Sequence, residues 1–438
     1  MKKKLILKSL ILTLSISLLS PFGTIKGNAT ENAQASTATS QVSTPDINAQ
    51  AAITIDYETG EVIYAKDADS KRYPASTTKL LTGLLLAENK QKSDEIEFTQ
   101  SAKEQPEYSL NINFMHNSMK VGDKMSADDV MKGLLLFSGN DTAYMIADNI
   151  AGSSQKFAEM MNAKAKELGA NNSNFVTANG LHDENHYTTA SDLSLITKAA
   201  FNNEWERETM ALENASIEIN GAKVLLDNRN LGLNKNGNIG GKTGSTNAAG
   251  GCLAAVYERN GRKIIGVVLK SRQVDNADMT KFNDMDKIMD YSFSVSQEKY
   301  KSSGDEVGTA DLQYKTFGFF GPTKTITVPL KLTQDVYYYS NDINDKESQI
   351  TYNVTDSSAW KLLFNKNTEL TYSTRNHQES VTGTVDISLG TLLKDNIIIY
   401  LATIAVLVII ITLIILIKNA ASNSRNRRGN FSRRRRRY

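Results

Sequence analysis

The spacing of hydrophobic residues divides the chain into segments with different predicted structures. Alternating runs at 51–56 and 61–65 flank a Gly-containing turn and predict a β-hairpin. Over 76–89, leucines recur at spacings of one and four residues, which predicts a buried helix, and Pro74 lies two residues ahead of it. The segment around Ser76 is therefore predicted to be a helix start that packs against a core.

Similar patterns predict more helices and a second hairpin. The hairpin consists of runs at 251–258 and 263–269 joined by an Asn-Gly turn, which favours tight antiparallel pairing. Asp129 follows Ser126 in capping-box spacing ahead of one helix. The predicted helices cover 127–137, 142–150, 155–168, 189–201 and 284–292. Helices and strands together predict one α+β domain over 51–304, an antiparallel sheet with a helical lobe.

The segment 305–390 has a different texture from the part before it. Short alternations rich in Thr, Val and Tyr, such as 325–328 and 336–339, are separated by Gly, Asn and Asp clusters. This spacing predicts a small all-β domain. Residues 30–50 are rich in Ser, Thr, Ala, Gln and Asn with few groups to bury, which predicts a flexible leader.

Both ends of the chain carry membrane signals. Residues 1–29 combine a lysine cluster, an apolar stretch and small residues before a possible cut after Ala29, as in a secretory signal peptide. Residues 397–417 form an uncharged apolar run that is long enough to span a bilayer. The arginine-rich tail 418–438 follows it, and the positive-inside preference predicts a cytoplasmic tail with an extracellular catalytic domain.

Charge and cysteine content narrow the function further. The chain has 438 residues and a formal net charge of +2, but all 48 acidic residues lie between the two basic ends. A folded part that is net acidic argues against a nucleic-acid partner. The single cysteine, Cys252, excludes an internal disulfide framework and lies in a run of small residues typical of a packed core thiol.

Three short motifs occur in order along the predicted catalytic domain. The first is S-x-x-K at Ser76 and Lys79, the second is Ser138-Gly139-Asn140, and the third is Lys242-Thr243-Gly244. S-x-x-K also occurs at serines 153, 296 and 358, so the motif alone is weak. Position distinguishes Ser76, because it opens an apolar helix while the other motifs lie at a helix break and a probable strand.

Elementary chemistry gives each motif residue a predicted role. Lys79 lies one helical turn from Ser76 and can act as its base if burial and the nearby Lys242 lower its pKa. Ser138 is predicted to relay a proton to the leaving amine, and Asn140 to hold the substrate amide. Four further residues are predicted to bind substrate. Lys242 and Thr243 supply a charge and a hydroxyl for a terminal carboxylate. Gly244 lets the substrate come close, and the backbone N–H of Ser245 can complete an oxyanion hole.

Two other kinds of site are disfavoured by the residues. His182 and His186 have helical metal-ligand spacing, but the intervening residues are loop-like and no H-E-x-x-H is present, so no metal is predicted. A phosphate-binding loop is disfavoured because position 236, where its first glycine would fall, is Asn. No cofactor is predicted.

The three motifs are those of penicillin-binding proteins and class A β-lactamases. The chain resembles the low-molecular-mass D-alanyl-D-alanine carboxypeptidase A family in particular, since similarity extends to the segment 74–80 and to Asp141. Further similar segments are 175, 179–181, 185–187 and 227–230. The order of signal peptide, catalytic domain, β-rich domain and anchor is similar as well.

The resemblance implies a penicillin-binding/β-lactamase-like transpeptidase fold and removal of terminal D-Ala from peptidoglycan stem peptides through an acyl-enzyme on Ser76. It implies β-lactams as covalent inhibitors. A D,D-transpeptidase or β-lactamase-like enzyme and a non-catalytic sensor or cell-wall-binding protein are the alternatives. Lys270 and Arg272 are both candidates for the family's carboxylate-binding position after the K-T-G strand.

Overall fold

A computed structural model of the chain describes residues 43–114, 119–275, 277–352 and 358–434. The predicted signal peptide 1–29 and most of the predicted leader lie outside these residues. The leader ends earlier than expected, because Ile47 and Ala49 are buried and the backbone of Asn48 donates to Asp284. Apolar contact and this carboxylate therefore fix the chain ahead of residue 51.

The catalytic domain is built on a five-stranded antiparallel sheet with the order β2-β1-β9-β8-β7. Both predicted hairpins are confirmed as pairs within it, and β7, which contains the K-T-G motif, lies at the edge. Two short ribbons flank the sheet. The strands of this domain are β1 (Ala51–Asp56), β2 (Val62–Lys66), β3 (Glu95–Glu97), β4 (Lys124–Ser126), β5 (Asn214–Ile219), β6 (Ala222–Asp227), β7 (Asn238–Thr246), β8 (Gly250–Arg259) and β9 (Arg262–Ser271).

Helices cover the sheet and form the predicted lobe. The leucines of the first helix are buried in the main core, as their spacing predicts. The side chain of Thr189 caps its helix by accepting from the Asp192 N–H. The helices are α1 (Lys79–Asn89), α2 (Gln100–Lys103), α3 (Ala127–Lys132), α4 (Asn140–Ala151), α5 (Ser154–Glu167), α6 (Ala190–Asn202), α7 (Glu204–Met210) and α8 (Thr280–Ser294).

Several local features differ from the sequence predictions. The turn Ala75–Thr78 is a 3₁₀ helix rather than the first turn of α1, and a π-helical turn, Gly133–Phe137, ends the helix expected over 127–137. Helix α7 and the β5–β6 hairpin were not predicted. In both cases tertiary packing overrides a weak local pattern.

A small sheet domain follows, as predicted. Its five-stranded antiparallel sheet has the order β11-β12-β16-β15-β14, and its own apolar core surrounds Tyr372 and Leu312. Strand β10 pairs with β13 beside it. The elements are β10 (Glu298–Lys301), β11 (Glu306–Lys315), β12 (Thr323–Leu332), β13 (Val336–Tyr338), α9 (Asn344–Glu347), β14 (Gln349–Thr351), α10 (Ala359–Phe364), β15 (Asn367–Thr374) and β16 (His377–Val385).

Direct contacts join this sheet domain to the catalytic domain. Arg375, in the β15–β16 turn, forms ion pairs with Asp69 of the catalytic domain and Glu347 of α9. Asn344 donates to the backbone carbonyl of Val62 at 2.7 Å. The two domains therefore meet through polar contacts at the outer edge strand β2.

Helix α11 (Leu389–Arg434) ends the described chain. One stretch of it, Leu389–Asn423, is long and apolar enough to cross a membrane, and most of its large apolar side chains are exposed in the structure. It contains the run 397–417 that the sequence predicted. The helix begins eight residues before that run, because Leu392 and Asn396 pack against the sheet domain.

Glu206 is an unusual core residue beneath α1. It is fully buried, and neither carboxylate oxygen has a hydrogen-bond partner within the described part of the chain. Its carboxylate faces Gly83, where an added Cβ would lie 2.8 Å from one oxygen. Burial, with a smaller contribution from Glu88, raises the pKa of Glu206 well above its ordinary value.

The variant Glu206→Gln is expected to remove a loss of stability at high pH. Between the ordinary glutamate pKa and the raised folded-state pKa, unfolding releases a proton, so stability falls with pH by up to about 1.4 kcal/mol per unit. Thermal unfolding at acidic and mildly alkaline pH should therefore show a smaller decline for the variant. Glu208→Gln, at an exposed glutamate of the same helix, is the control and should decline like the parent. Equal declines in all three proteins would contradict a buried neutral Glu206.

Candidate active site

Ser76 lies in the 3₁₀ turn that leads into α1. The other three residues of the turn, Ala75, Thr77 and Thr78, are buried, whereas Ser76 is partly exposed. The Thr77 hydroxyl donates to the carbonyl of Pro74 at 2.7 Å and fixes the turn. Ser76 is thus the side chain of this turn that a substrate can reach.

Lys79 is fully buried and makes three hydrogen bonds. Its Nζ is 3.0 Å from Ser76 Oγ, 2.7 Å from Asn140 Oδ1 and 2.8 Å from the carbonyl oxygen of Asn179. Burial lowers the pKa of Lys79 well below its ordinary value, and the charge of Lys242 lowers it further. The influence of Lys242 agrees with the sequence prediction.

The identity of these partners determines what a neutral Lys79 can do. The oxygens of Asn140 and Asn179 can only accept, so they take up the two N–H groups of a neutral amine. The remaining lone pair then points to the third partner, the Ser76 hydroxyl, which can donate. The arrangement is that of a base beside a nucleophile.

Ser138 and Asn140 stand where the π-helical turn gives way to α4. Ser138 is in the left-handed region with φ of 73°, an uncommon conformation for a residue other than glycine. Its hydroxyl is buried and has no hydrogen-bond partner within the described residues. Asn140 is the first residue of α4, and its backbone N–H donates to the carbonyl of Leu110 at 2.7 Å. The predicted helix break is confirmed, although only Ser138 and Gly139 lie in it.

Strand β7 brings the third motif against the 3₁₀ turn Ala75–Thr78, here called the nucleophile turn after the role predicted for Ser76. A Cβ added at Gly244 would lie 2.9 Å from both Pro74 O and Ser76 N. The glycine was predicted to admit substrate, but the structure shows that it admits the nucleophile turn itself. Lys242 is buried on this strand, and burial together with the charge of Arg229 lowers the pKa of Lys242 to about 7.

The remaining predicted residues fall around this edge. Thr243 is half-buried and Ser245 is exposed at the end of β7, where it pairs with Gly251 of β8. Of the two carboxylate-binding candidates, Lys270 donates its Nζ to the carbonyl of Ala248, whereas Arg272 is exposed.

A loop over 175–187 supports the nucleophile turn from the opposite side. Gly180, with φ of +79°, approaches so closely that an added Cβ would lie 1.9 Å from Ala75 O. His186 is buried, and its Nδ1 accepts hydrogen bonds from the backbone N–H groups of residues 176 and 177. The ring proton is therefore on Nε2, which donates a hydrogen bond to Thr78 Oγ1 at 2.9 Å. Burial lowers the pKa of His186 to about 4. His186 thus holds the turn in place.

The sequence prediction missed the part that this loop plays at the site. Asn179 contributes its main-chain carbonyl, which any residue possesses, so no side-chain pattern reveals it. Gly180 offered a signal, because an Asn-Gly pair is typical of a turn and glycine readily adopts the left-handed conformation.

The model of the D-alanyl-D-alanine carboxypeptidase family matches residues 38–273, more than half of the chain. The chain belongs to this family. Among curated family members, DacC of Escherichia coli is 33% identical over 259 residues, covering 58% of this chain and 63% of the relative. DacF of Bacillus subtilis is 31% identical over 250 residues, with coverages of 56% and 62%. The match thus spans about three fifths of these relatives.

Solved structures confirm the penicillin-binding, transpeptidase-like fold. A D-alanyl-D-alanine carboxypeptidase from Mycobacterium tuberculosis matches with 28% identity and a TM-score of 0.54, covering 59% of this chain and 96% of that structure. A mutant of the Streptomyces K15 DD-transpeptidase matches with 29% identity and a TM-score of 0.51, covering 57% of this chain and 100% of that structure. Penicillin-binding protein D2 from Listeria monocytogenes, in an ampicillin-bound form, matches with 26% identity and a TM-score of 0.50, covering 57% of this chain and 100% of that structure.

Within this family fold, Gly180→Ala is expected to displace Ser76 and to slow its predicted acylation. The new Cβ would clash with Ala75 O and push the loop from the nucleophile turn, and a shift of about 1 Å at such a site can cost about 100-fold in rate. The measurement is the second-order rate of labelling by a fluorescent penicillin.

Gly221→Ala is the matched control. Gly221 has the same φ of +79°, but an added Cβ would meet no atom within 4 Å, so only backbone strain is introduced. Equal labelling rates for the two variants would contradict the supporting role of the loop.

Proposed function

We propose that the chain is a serine-type D-alanyl-D-alanine carboxypeptidase that removes the terminal D-Ala from peptidoglycan stem peptides. The observation that carries the proposal is the contact between Lys79 Nζ and Ser76 Oγ, with two pure acceptors on the other amine hydrogens. Membership of the family supports the substrate class. No cofactor takes part in the proposed reaction.

In the proposed acylation step, neutral Lys79 removes the hydroxyl proton of Ser76 as Oγ bonds to the carbonyl carbon of the penultimate D-Ala. The backbone N–H groups of Ser76 and Ser245 would stabilise the oxyanion. The C–N bond then breaks as Ser138 gives its hydroxyl proton to the departing amine, and protonated Lys79 returns a proton to Ser138 and becomes neutral again. Water hydrolyses the resulting ester and frees Ser76.

Substrate binding is proposed to use the edge of β7. An extended peptide can pair with an edge strand, and the amide nitrogen of Asn140 can face it because its oxygen is held by Lys79. Protonated Lys242 and the Thr243 hydroxyl would receive the terminal carboxylate. Gly244 keeps the strand close enough to Ser76 for this alignment.

β-Lactams are proposed to acylate the same serine, since their ring amide mimics the scissile bond. The similar Listeria protein is described in an ampicillin-bound form, which supports this proposal.

Transpeptidation is the second candidate function, supported by the similar Streptomyces DD-transpeptidase. It uses the same acyl-enzyme and differs in the acceptor, which is an amine in place of water.

The chain is further proposed to be anchored in the cell membrane by 397–417, with the catalytic domain outside and the tail 418–438 in the cytoplasm. The exposed apolar surface of α11 supports the span. The arginines of the tail support the orientation, because basic residues flanking a span favour the cytoplasmic side.

Ser76→Ala is expected to abolish both covalent labelling by a fluorescent penicillin and D-Ala release from a peptide ending in D-Ala-D-Ala, because it removes the oxygen on which the proposed ester forms. The control Ser296→Ala removes another serine of an S-x-x-K sequence, which is exposed, and should retain both activities. Labelling that survives Ser76→Ala would overturn the proposal. Labelling of the parent without D-Ala release would favour the transpeptidase or a sensor.

The acylation rate is expected to fall above about pH 7, where Lys242 loses its proton and with it the charge that receives the carboxylate. Because this dependence belongs to the free enzyme, it should appear in the second-order rate constant. As the pH falls through the lowered pKa of Lys79, the proposed base is protonated and the rate should fall as well. A rate that continues to rise through the alkaline range would contradict the role of Lys242.

A further inference from the structure

The turn between β11 and β12 carries a cluster of aromatic rings with little protein around it. Phe319 is 84% exposed and Phe320 is 54% exposed, while Phe317 stacks on Phe320 with ring centroids 5.0 Å apart. Residues 316–323 contain no charged side chain, and the turn is bordered by Lys315 and Lys324. The turn therefore exposes two phenylalanine rings with no charged side chain between the two lysines.

This turn is attached to α11 at a defined height. Tyr400 donates its hydroxyl to the carbonyl of Thr316 at 2.7 Å, and its ring lies 5.5 Å from that of Phe317. Tyr400 is the fourth residue of the proposed span 397–417, about 4.5 Å along the helix from its start. If 397–417 spans the membrane, a turn that packs beside Tyr400 must therefore lie at the edge of the hydrocarbon region.

The backbone of the turn is suited to such an environment, where unsatisfied polar groups are costly. The N–H groups of Thr316, Phe317 and Gly318 donate to carbonyls within the same turn. Lys324 donates to the carbonyl of Asp395, five residues before Tyr400 in α11, so Lys324 lies on the water side of the rings. Aromatic rings at the interface with lysines toward the headgroups are typical of membrane-facing surfaces.

We propose that Phe317, Phe319 and Phe320, here called the aromatic tip, insert into the outer lipid–water interface beside α11 and form a second membrane contact. The proposal rests on the membrane anchorage proposed above. The occupant is the lipid surface, because the tip continues the exposed apolar face of the helix at the height of Tyr400.

The test uses the full chain in vesicles of phosphatidylcholine and phosphatidylglycerol. Cys252 is fully buried, so the parent should take up no thiol label and serves as the blank. An environment-sensitive fluorophore is attached at Phe319→Cys at the tip, at Leu407→Cys in mid-span, or at Glu306→Cys. Glu306 is the matched control, since it is exposed at the other end of β11, about 30 Å from Lys315.

Lipids that carry a nitroxide near the headgroup or deep in the acyl chain report depth. We expect the Phe319 label to lose most fluorescence with the shallow nitroxide, the Leu407 label with the deep one, and the Glu306 label with neither. A Phe319 label that behaves like the Glu306 label while Leu407 is quenched would overturn the membrane contact and leave the anchor intact. An unquenched Leu407 label would overturn the anchor and this inference together.

A second measurement excludes insertion caused by the fluorophore itself. The label is moved to Thr323→Cys, beside the tip, with and without the changes Phe319→Ser and Phe320→Ser. Shallow quenching should be lost in the serine variant. Quenching that is unchanged would overturn the role of the rings, and a blue-shifted Phe319 label insensitive to both nitroxides would show a protein contact, such as a second copy, in place of lipid.

Discussion

The burial of Lys79 is the constraint on which the site depends. A protonated amine is costly to bury among leucines. Burial and the charge of Lys242 lower the pKa of Lys79, which favours its neutral form. The three groups that it contacts come from Ser76, Asn140 and Asn179, which lie in separate parts of the chain. Its position therefore fixes the relative placement of the nucleophile turn, the start of α4 and the loop after α5.

Close backbone approach provides the second condition. The nucleophile turn lies between β7 on one side and the loop over 175–187 on the other, and each neighbour approaches through a glycine, Gly244 and Gly180. A side chain at either position would separate Ser76 from one half of its surroundings. Close packing of main chain against main chain on both sides therefore restricts the movement of Ser76.

Local sequence patterns correctly predicted the helices and strands whose formation is determined by residues within the element itself. The buried helix after Ser76, the β8–β9 hairpin and the capped helix α6 follow from leucine spacing, an Asn-Gly turn and Thr189, which are local signals. The motif residues of the site could be named for the same reason. The 3₁₀ turn, the π-helical turn and the carbonyl of Asn179 could not, because they are set by what packs against them from distant parts of the chain.

The sheet domain is attached firmly at both of its ends. At one end, Arg375 and Asn344 bind the catalytic domain through ion pairs and a main-chain carbonyl. At the other, Asn396 and Tyr400 of α11 bind β11 and the turn that follows it. A flexible linker would let the catalytic domain sample many distances from α11, with only its length as a limit. Packed contacts at both ends of the sheet domain restrict that distance instead.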